Sequence, residues 1–277
     1  MGRAGLVVAV FVCLLGAASP ARAQCNGLVN AGPLLAGPGA TDFGQIPEAC
    51  PGTDLFLRLR AEVLVASSDF YGAITGGTTL RGRWQFWPQW TLTAAFDPVT
   101  VRYDVNAVLH STGVGVGPAT LGAQRTFTID RAVLAPYARL LLPFDSARHR
   151  GTRWGGELGV SASYRLCTCG GLRAGLSAPA TLTTVGDRGH GIFAPGALVE
   201  GVWAPRLWVA FSGGVAARAQ AAPHGYLQAV AARAAARLET RQGWHVALAA
   251  DVPFAGDDRT DVTATIFVGK SGPREAF

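Results

Sequence analysis

The amino-acid sequence predicts an all-β protein, an antiparallel transmembrane β-barrel of about twelve strands. Three observations carry this prediction. Apolar and polar residues alternate over long segments, the chain opens with an export signal, and short and long connections alternate along it. Each of these observations is typical of a barrel that crosses a bilayer with strands.

Residues 154–166, WGGELGVSASYRL, show the alternation well. Trp154, Leu158 and Tyr164 fall on one face, and Glu157 and Ser161 fall on the other, since successive strand residues point to opposite sides of a sheet. The segment is also long enough to cross a membrane, which takes roughly 9 to 11 residues. Comparable segments predict strands at 54–67, 78–87, 90–103, 117–127, 131–143, 153–166, 170–182, 192–204, 206–219, 225–239, 242–253 and 260–270.

The connections between these strands alternate in length. Tight links lie near Pro88, Asp130, Thr168, Pro205 and Gln242, whereas the longer ones span 68–77, 104–116, 145–152, 183–191, 220–224 and 255–259. Bacterial barrels have short periplasmic turns and longer external loops. The tryptophans near the predicted turns fit an aromatic girdle; they are Trp84, Trp87, Trp90, Trp203, Trp208 and Trp244. The alternative is that they form the core of a secreted β-sandwich.

Residues 1–23 predict a signal peptide. Arg3 precedes the apolar run Leu6–Leu15, and Ala21-Arg22-Ala23 supplies a cleavage site. Acylation at Cys25 is the less favoured alternative, because Gln24 is a poor residue before a lipidated cysteine. No later stretch has about 18 uninterrupted apolar residues, the length expected of a membrane helix. Export without such a helix leaves a periplasmic, secreted or outer-membrane protein.

Residues 24–53 are rich in Gly and Pro, and we expect them to form a periplasmic extension or a plug in the mouth of a barrel spanning 54–277. Cys25 and Cys50 bracket this segment, so a disulfide between them is expected in an oxidising compartment. Closing the loop would contribute about 3 kcal/mol. With Cys167 and Cys169 the mature chain allows three pairings. No histidine lies at a spacing suited to a zinc site, so no metal is predicted.

The polar faces of the predicted strands supply the candidate pore lining. These residues are Arg58, Arg60, Glu62, Arg81, Arg83, Asp97, Arg139, Glu157, Arg165, Glu200, Arg233, Arg237, Asp251 and Asp261. Their surplus of arginine predicts a positive interior that favours small anions. Pairing of arginines with the acids is the alternative, because a buried charge without a partner is costly. A barrel of about twelve strands lies between filled and open ones, so a narrow pore and a plugged lumen are both reasonable.

The sequence offers no catalytic residue to assign. It has no Gly-x-Ser-x-Gly, and its five histidines, at 110, 149, 190, 224 and 245, lie far apart. Gly113–Gly117 lacks the features of a phosphate-binding loop, and Asp257, Asp258 and Asp261 fit a solvated loop. We therefore expect no enzyme and no cofactor. The formal charge of +6 does not indicate a nucleic-acid partner, because the chain is exported.

Residues 136–144, 154–166 and 263–269 resemble Gram-negative outer-membrane β-barrel proteins, in particular those described as transporters or porins. The resemblance covers about residues 54–270 and is one of pattern. It implies location in the outer membrane, contact with its lipid and lipopolysaccharide, insertion by the barrel-assembly machinery, and passage of an unidentified small solute. The alternatives are a structural barrel with a filled lumen and an outer-membrane hydrolase. Phe277 resembles the family's terminal aromatic, although Gly272-Pro273 separates it from the last strand.

Overall fold

The computed structural model of the protein describes most of the barrel and a short part of the preceding segment. The described residues are 46–47, 49–50, 54–66, 71–105, 110–143, 152–167, 169–185, 188–206, 209–240, 242, 244–257 and 262–271. Within them, no helix has the length and hydropathy needed to cross a bilayer.

In the described part of the chain, fifteen strands form a single antiparallel sheet. They are β1 Asp54–Ala66, β2 Tyr71–Trp87, β3 Trp90–Val105, β4 His110–Gly115, β5 Ala119–Arg125, β6 Phe127–Ile129, β7 Ala132–Leu142, β8 Thr152–Cys167, β9 Gly170–Val185, β10 Arg188–Phe193, β11 Gly196–Arg206, β12 Val209–Gln220, β13 Tyr226–Glu239, β14 Trp244–Ala255 and β15 Val262–Ser271.

Strand pairing carries the sheet round into a ring. From β1 the pairs run through β2, β3, β5, β7 and β8 to β9, and then through β11, β12, β13, β14 and β15 back to β1. Three short strands share positions that longer strands already occupy. Strand β4 pairs with β3 beyond the end of β5, β6 pairs with β7 beyond the other end of β5, and β10 pairs with β9 beyond the end of β11. The fifteen strands therefore occupy twelve positions around the ring, which confirms the predicted antiparallel barrel of about twelve strands.

Several strands extend beyond the segments that the alternation predicts. Strand β2 begins at Tyr71 rather than at residue 78. Strand β4 lies inside a stretch predicted to be a loop, and β10 begins in another such stretch, four residues before the strand predicted at 192–204. Backbone pairing between neighbours continues there, as in the register of β2 with β3 from Gly72↔Val105. Side-chain alternation is required only where one face meets lipid, so it does not mark the ends of strands that continue past the bilayer.

The outer face of the ring is apolar and exposed, whereas the inner face is polar and buried. Leu140, Leu158 and Leu248 are 60%, 60% and 55% exposed, respectively. Their sequence neighbours Arg139 and Glu157 are 4% and 2% exposed. A soluble protein has the opposite distribution, because burial of apolar surface drives its folding. The outer face of this barrel is therefore suited to the hydrocarbon of a membrane.

The tight turns lie at one end of the barrel, here called the turn end. Asp130 adopts a left-handed backbone with φ 48° in the short link between β6 and β7, a conformation that aspartate adopts more readily than most residues. Exposed tryptophans cluster at this end, and Trp154 lies at the other end. Trp84, Trp87, Trp203 and Trp244 are the exposed members at the turn end, while Trp208 lies outside the described residues. Their positions match the aromatic girdles of membrane barrels.

Candidate functional site

The interior of the barrel holds most of the predicted pore-lining residues. Those buried on the inner face are Arg83, Asp97, Arg139, Glu157, Glu200, Arg233, Arg237 and Asp251. Arg81 and Arg165 are half-buried. Arg58, Arg60 and Glu62 lie on β1, and their side chains are outside the described part of the structure, as is Asp261.

Four charged residues lie in one line across neighbouring strands, here called the charge row. Arg173 is in register with Glu200, Gly214 follows on β12, and Arg233 on β13 is in register with Asp251 on β14. Arg173 Nη2 contacts Glu200 Oε1, and Arg233 Nε lies 3.7 Å from Asp251 Oδ1. All four side chains are at most 8% exposed.

The order of charges along this row explains how they are tolerated in the interior. Positive and negative residues alternate, and Gly214 leaves the position between Glu200 and Arg233 without a side chain. Glu200 therefore acts electrostatically on Arg233 as well as on Arg173. Desolvated charges need such partners, because removing one partner of a buried ion pair destabilises a protein by about 3–5 kcal/mol.

A second group of polar side chains surrounds Glu157. The Tyr137 hydroxyl donates to Glu157 Oε1 at 2.9 Å, and Arg139 Nη1 lies 3.7 Å from Glu157 Oε2. The Arg139 Cζ also lies 4.9 Å from the centre of the Tyr137 ring. Glu157 thus holds a tyrosine and an arginine from the neighbouring strand β7 in place.

Glycine makes room for this arrangement. Tyr137 is in register with Gly159, and a Cβ at position 159 would collide with the Tyr137 ring atom Cζ. The same rung continues through Ser177 and Gly196 to Arg218 on β12. Arg173, Ser177 and Arg218 are absent from the set that the sequence predicts, although Arg173 follows the alternation of its strand between the outward Leu172 and Ala174.

The segment before β1 reaches this interior. Ile46, Ala49 and Cys50 are each at most 5% exposed. Ile46 packs with the inward residues of β11 and β12, Leu198 and Ala216.

A hydrogen bond and a second apolar cluster hold the same segment. Ala49 and Cys50 pack against Val133 and Ala135 of β7. The Thr126 hydroxyl donates to the Ala49 carbonyl oxygen at 3.0 Å. Ile46, Ala49 and Cys50 therefore lie within the barrel, in contact with two separate parts of the ring.

The described cysteines fall in two places. Cys167 and Cys169 form a disulfide at the turn end, and the Cys169 N–H donates to Cys167 Sγ at 3.3 Å. Cys50 is disulfide-bonded in the interior. Cys25 lies outside the described residues, so its pairing with Cys50 stays a prediction.

Two solved structures share the architecture. An outer membrane channel from Pseudomonas putida F1 matches with a TM-score of 0.61 and 13% identity, over 84% of this chain and 99% of that one. The translocator domain of the autotransporter NalP from Neisseria meningitidis matches with a TM-score of 0.53 and 11% identity, over 80% and 88%. The sequence matches no family model and no curated protein. With its apolar outer face and its exposed tryptophans at both ends, the chain has the fold of Gram-negative outer-membrane β-barrel proteins.

Proposed function

We propose that this protein is an outer-membrane channel for small solutes. The observation that carries the proposal is the charged inner face inside an apolar ring of twelve strand positions. Apolar side chains could fill a purely structural barrel without the cost of desolvating charge. The solved channel from Pseudomonas putida F1, which has this fold, supports the same function.

The segment before β1 gives the channel a closed state in this proposal. Ile46, Ala49 and Cys50 lie inside the ring, and the contacts described for them with the wall are apolar packing and one hydrogen bond. A hydrogen bond contributes about 0.5–1.5 kcal/mol net, so these contacts can be exchanged for others. Solute passage then requires Ile46, Ala49 and Cys50 to move from their place among the inward side chains.

We further propose a preference for small anions. The described inner face carries more arginine than carboxylate. The arginines are Arg81, Arg83, Arg139, Arg165, Arg173, Arg218, Arg233 and Arg237, and the acids are Asp97, Glu157, Glu200, Glu239 and Asp251. Charged rings set the selectivity of pores, and an excess of arginine favours anions.

The dense packing favours a second candidate, a structural barrel with a filled lumen. Glu157 and Glu200 are at most 2% exposed, and the charge row is internally neutral. A barrel whose interior side chains stay this densely packed passes no ions.

Planar-bilayer recordings under a KCl gradient separate the two candidates. We expect the mature protein to conduct weakly, and a variant without residues 24–50 to conduct several times more with an anion-selective reversal potential. A gel shift on boiling confirms that this variant is a folded barrel. Absence of current from the folded deletion variant would support the filled barrel, and a cation-selective potential would contradict the anion preference alone.

A further inference from the structure

We propose that Arg125 and a neighbouring groove on the outer face form a binding site for one phospholipid. The guanidinium holds the phosphate of the headgroup, and the groove holds an acyl chain. The site lies outside the ring, on the face suited to lipid, so the proposal does not depend on the channel function.

Arg125 places a positive charge on the apolar outer face. Its sequence neighbour Gln124 is buried on the inner face, so Arg125 falls on the opposite side of β5. Arg125 is in register with Trp90, the first residue of β3, so this pair lies at the turn end. An arginine at such a level keeps its charge among the lipid headgroups while its aliphatic stem covers apolar surface.

The guanidinium of Arg125 is held by aromatic rings rather than by polar partners. Its Cζ lies 5.6 Å from the centre of the Trp90 ring and 5.0 Å from that of the Phe127 ring, both within the range of a cation–π contact. Its Nη2 donates one long hydrogen bond, of 3.4 Å, to Gln89 Oε1. Among the described residues, its buried Nε has no hydrogen-bond partner.

A phosphate fits this guanidinium in charge and in shape. The ion pairs found within the described ranges do not include Arg125. The hydrogen bonds there use one of its five N–H donors. Its planar fork matches two phosphate oxygens, and a charge-assisted bond of this kind is stronger than a neutral one. Basic residues that face lipid bind anionic headgroups in the same way.

A groove on the same outer face supplies the second part of the site. It has a volume of about 570 Å³, within the range of small-molecule pockets. Gly82 and Ala94 lie side by side on one rung between Leu55 and Leu121, so small residues lie between large ones. A Cβ added at Gly82 would contact Leu55 Cδ1 at 4.0 Å, which leaves the middle of this rung open. The next rung continues the apolar lining with Leu80, Phe96 and Ala119.

The distance between the two parts suits one lipid molecule. Ala94 and Leu121 lie four residues from Trp90 and Arg125, which is roughly 13 Å along the strands at about 3.3 Å per residue. The hydrocarbon of one leaflet is about 15 Å deep, half of a bilayer core. A lipid whose phosphate binds Arg125 therefore places an acyl chain over the groove. The arginine favours a phosphate and the groove favours a chain, and a phospholipid carries both.

Native mass spectrometry of the mature, folded protein in detergent tests the site. Dipalmitoyl phosphatidylglycerol is titrated, and the concentration at which half of the protein retains one lipid is measured. Dipalmitoylglycerol, which has the same chains and no phosphate, is titrated in parallel. We expect one phosphatidylglycerol per barrel, at a half-saturating concentration roughly 10- to 100-fold below that of dipalmitoylglycerol, the gain expected from hydrogen bonds to a charged group. Equal retention of the two lipids would overturn the proposal.

Three variants assign the binding to the two parts. Arg125→Gln should raise the half-saturating concentration of phosphatidylglycerol roughly 10- to 100-fold. Arg165→Gln removes the same charge at the turn end from the inner side of the wall, and should change this concentration less than about twofold. Gly82→Leu fills the groove without a clash at its Cβ, and should raise the concentration several-fold. Binding that survives both Arg125→Gln and Gly82→Leu shows that the lipid lies elsewhere and overturns the site.

Lipopolysaccharide and a second copy of this chain are the other candidates for an apolar outer face. Lipopolysaccharide that displaces phosphatidylglycerol at equal concentration would overturn the assignment to a phospholipid. A dimer that Gly82→Leu abolishes and Arg125→Gln leaves intact would show that the groove holds a second copy. A gel shift on boiling confirms for each variant that the barrel is folded, and the comparison of the two lipids on the unmodified protein needs no variant.

Discussion

Single glycines decide which large side chains the interior can hold. Gly159 lies under the Tyr137 ring, and Gly214 separates Glu200 from Arg233 in the charge row. Neither glycine needs an unusual backbone, since each lies within a regular strand. Each glycine leaves room for a bulky or charged neighbour because it has no side chain. Glycine positions therefore help to determine where the charged groups lie.

The substitution Gly159→Ala tests this role. The new Cβ would meet the Tyr137 ring and also the Leu176 carbonyl oxygen at 2.6 Å, so relief requires the backbone to shift. Overpacking of this kind typically costs about 1–3 kcal/mol. Urea unfolding of the barrel in detergent measures the loss.

A matched control lies on the same strand. Gly156 faces outward, and a Cβ there meets nothing within 4 Å. Gly156→Ala should leave the free energy of unfolding unchanged or raise it by about 0.4–1 kcal/mol through the unfolded state. Equal losses at positions 156 and 159 would show that the Tyr137 contact is not the cause.

At the residue scale the sequence predicts faces but not partners. Alternation places Arg139 and Glu157 on the inner face, as the structure shows them. It does not predict that they pair, because a shift of two residues in register preserves every face while changing every neighbour. The pairing of Arg173 with Glu200 is not predictable from the sequence for the same reason, since it depends on a register that only the folded sheet defines.

At the scale of elements, the pattern is reliable where lipid contacts the strand. Strand β13 is an example, since its many alanines and arginines favour a helix, yet Ala231, Arg233, Ala235 and Arg237 are buried in alternation with exposed residues. Tertiary pairing with β12 and β14 overrides the helix propensity. The sequence predicts a loop for β4 and for the first four residues of β10, because no alternation is needed where strands extend past the membrane.

The cysteines give an element-scale prediction. Mass spectrometry of the protein digested without reductant should find Cys167 joined to Cys169, and Cys25 joined to Cys50. The second bridge would tie the segment before β1 into a closed loop whose end lies at the buried Cys50. A peptide that links Cys25 to Cys167 or Cys169 would contradict both pairings at once.

At the scale of the whole molecule, the barrel distributes its residues in the reverse of a soluble protein. Large apolar side chains are exposed around the ring, whereas arginine, glutamate and aspartate are buried. The tolerance of the barrel to a charged residue therefore depends on the face. On the outer face a charge is destabilising, because the ion would lie in hydrocarbon. On the inner face a charge is tolerated where an oppositely charged partner is available.

The substitution Leu248→Arg tests this distribution. Leu248 is an outward residue in the middle part of β14, so an arginine there should destabilise the barrel by roughly 2–4 kcal/mol if it lies near the bilayer midplane. Urea unfolding in lipid vesicles measures this cost. The adjacent Ala249 packs inside with Ala235 and Ala247, so the conservative Ala249→Ser is the suitable control and should cost much less. Equal costs at the two positions would mean that the faces are wrongly assigned.

The pairing of β1 with β15 has a consequence for the order of folding. It joins ten residue pairs, from Asp54↔Ser271 to Val63↔Val262, that are about 200 residues apart in the chain. Neighbouring strands such as β2 and β3 are joined by a two-residue link, but β1 and β15 meet only when the rest of the sheet has brought them together. Until then β1 and β15 present open hydrogen-bonding edges, the feature that promotes aggregation of unfinished sheets. We therefore expect closure of the ring to be the final step of folding, because contacts between distant parts of a chain form late.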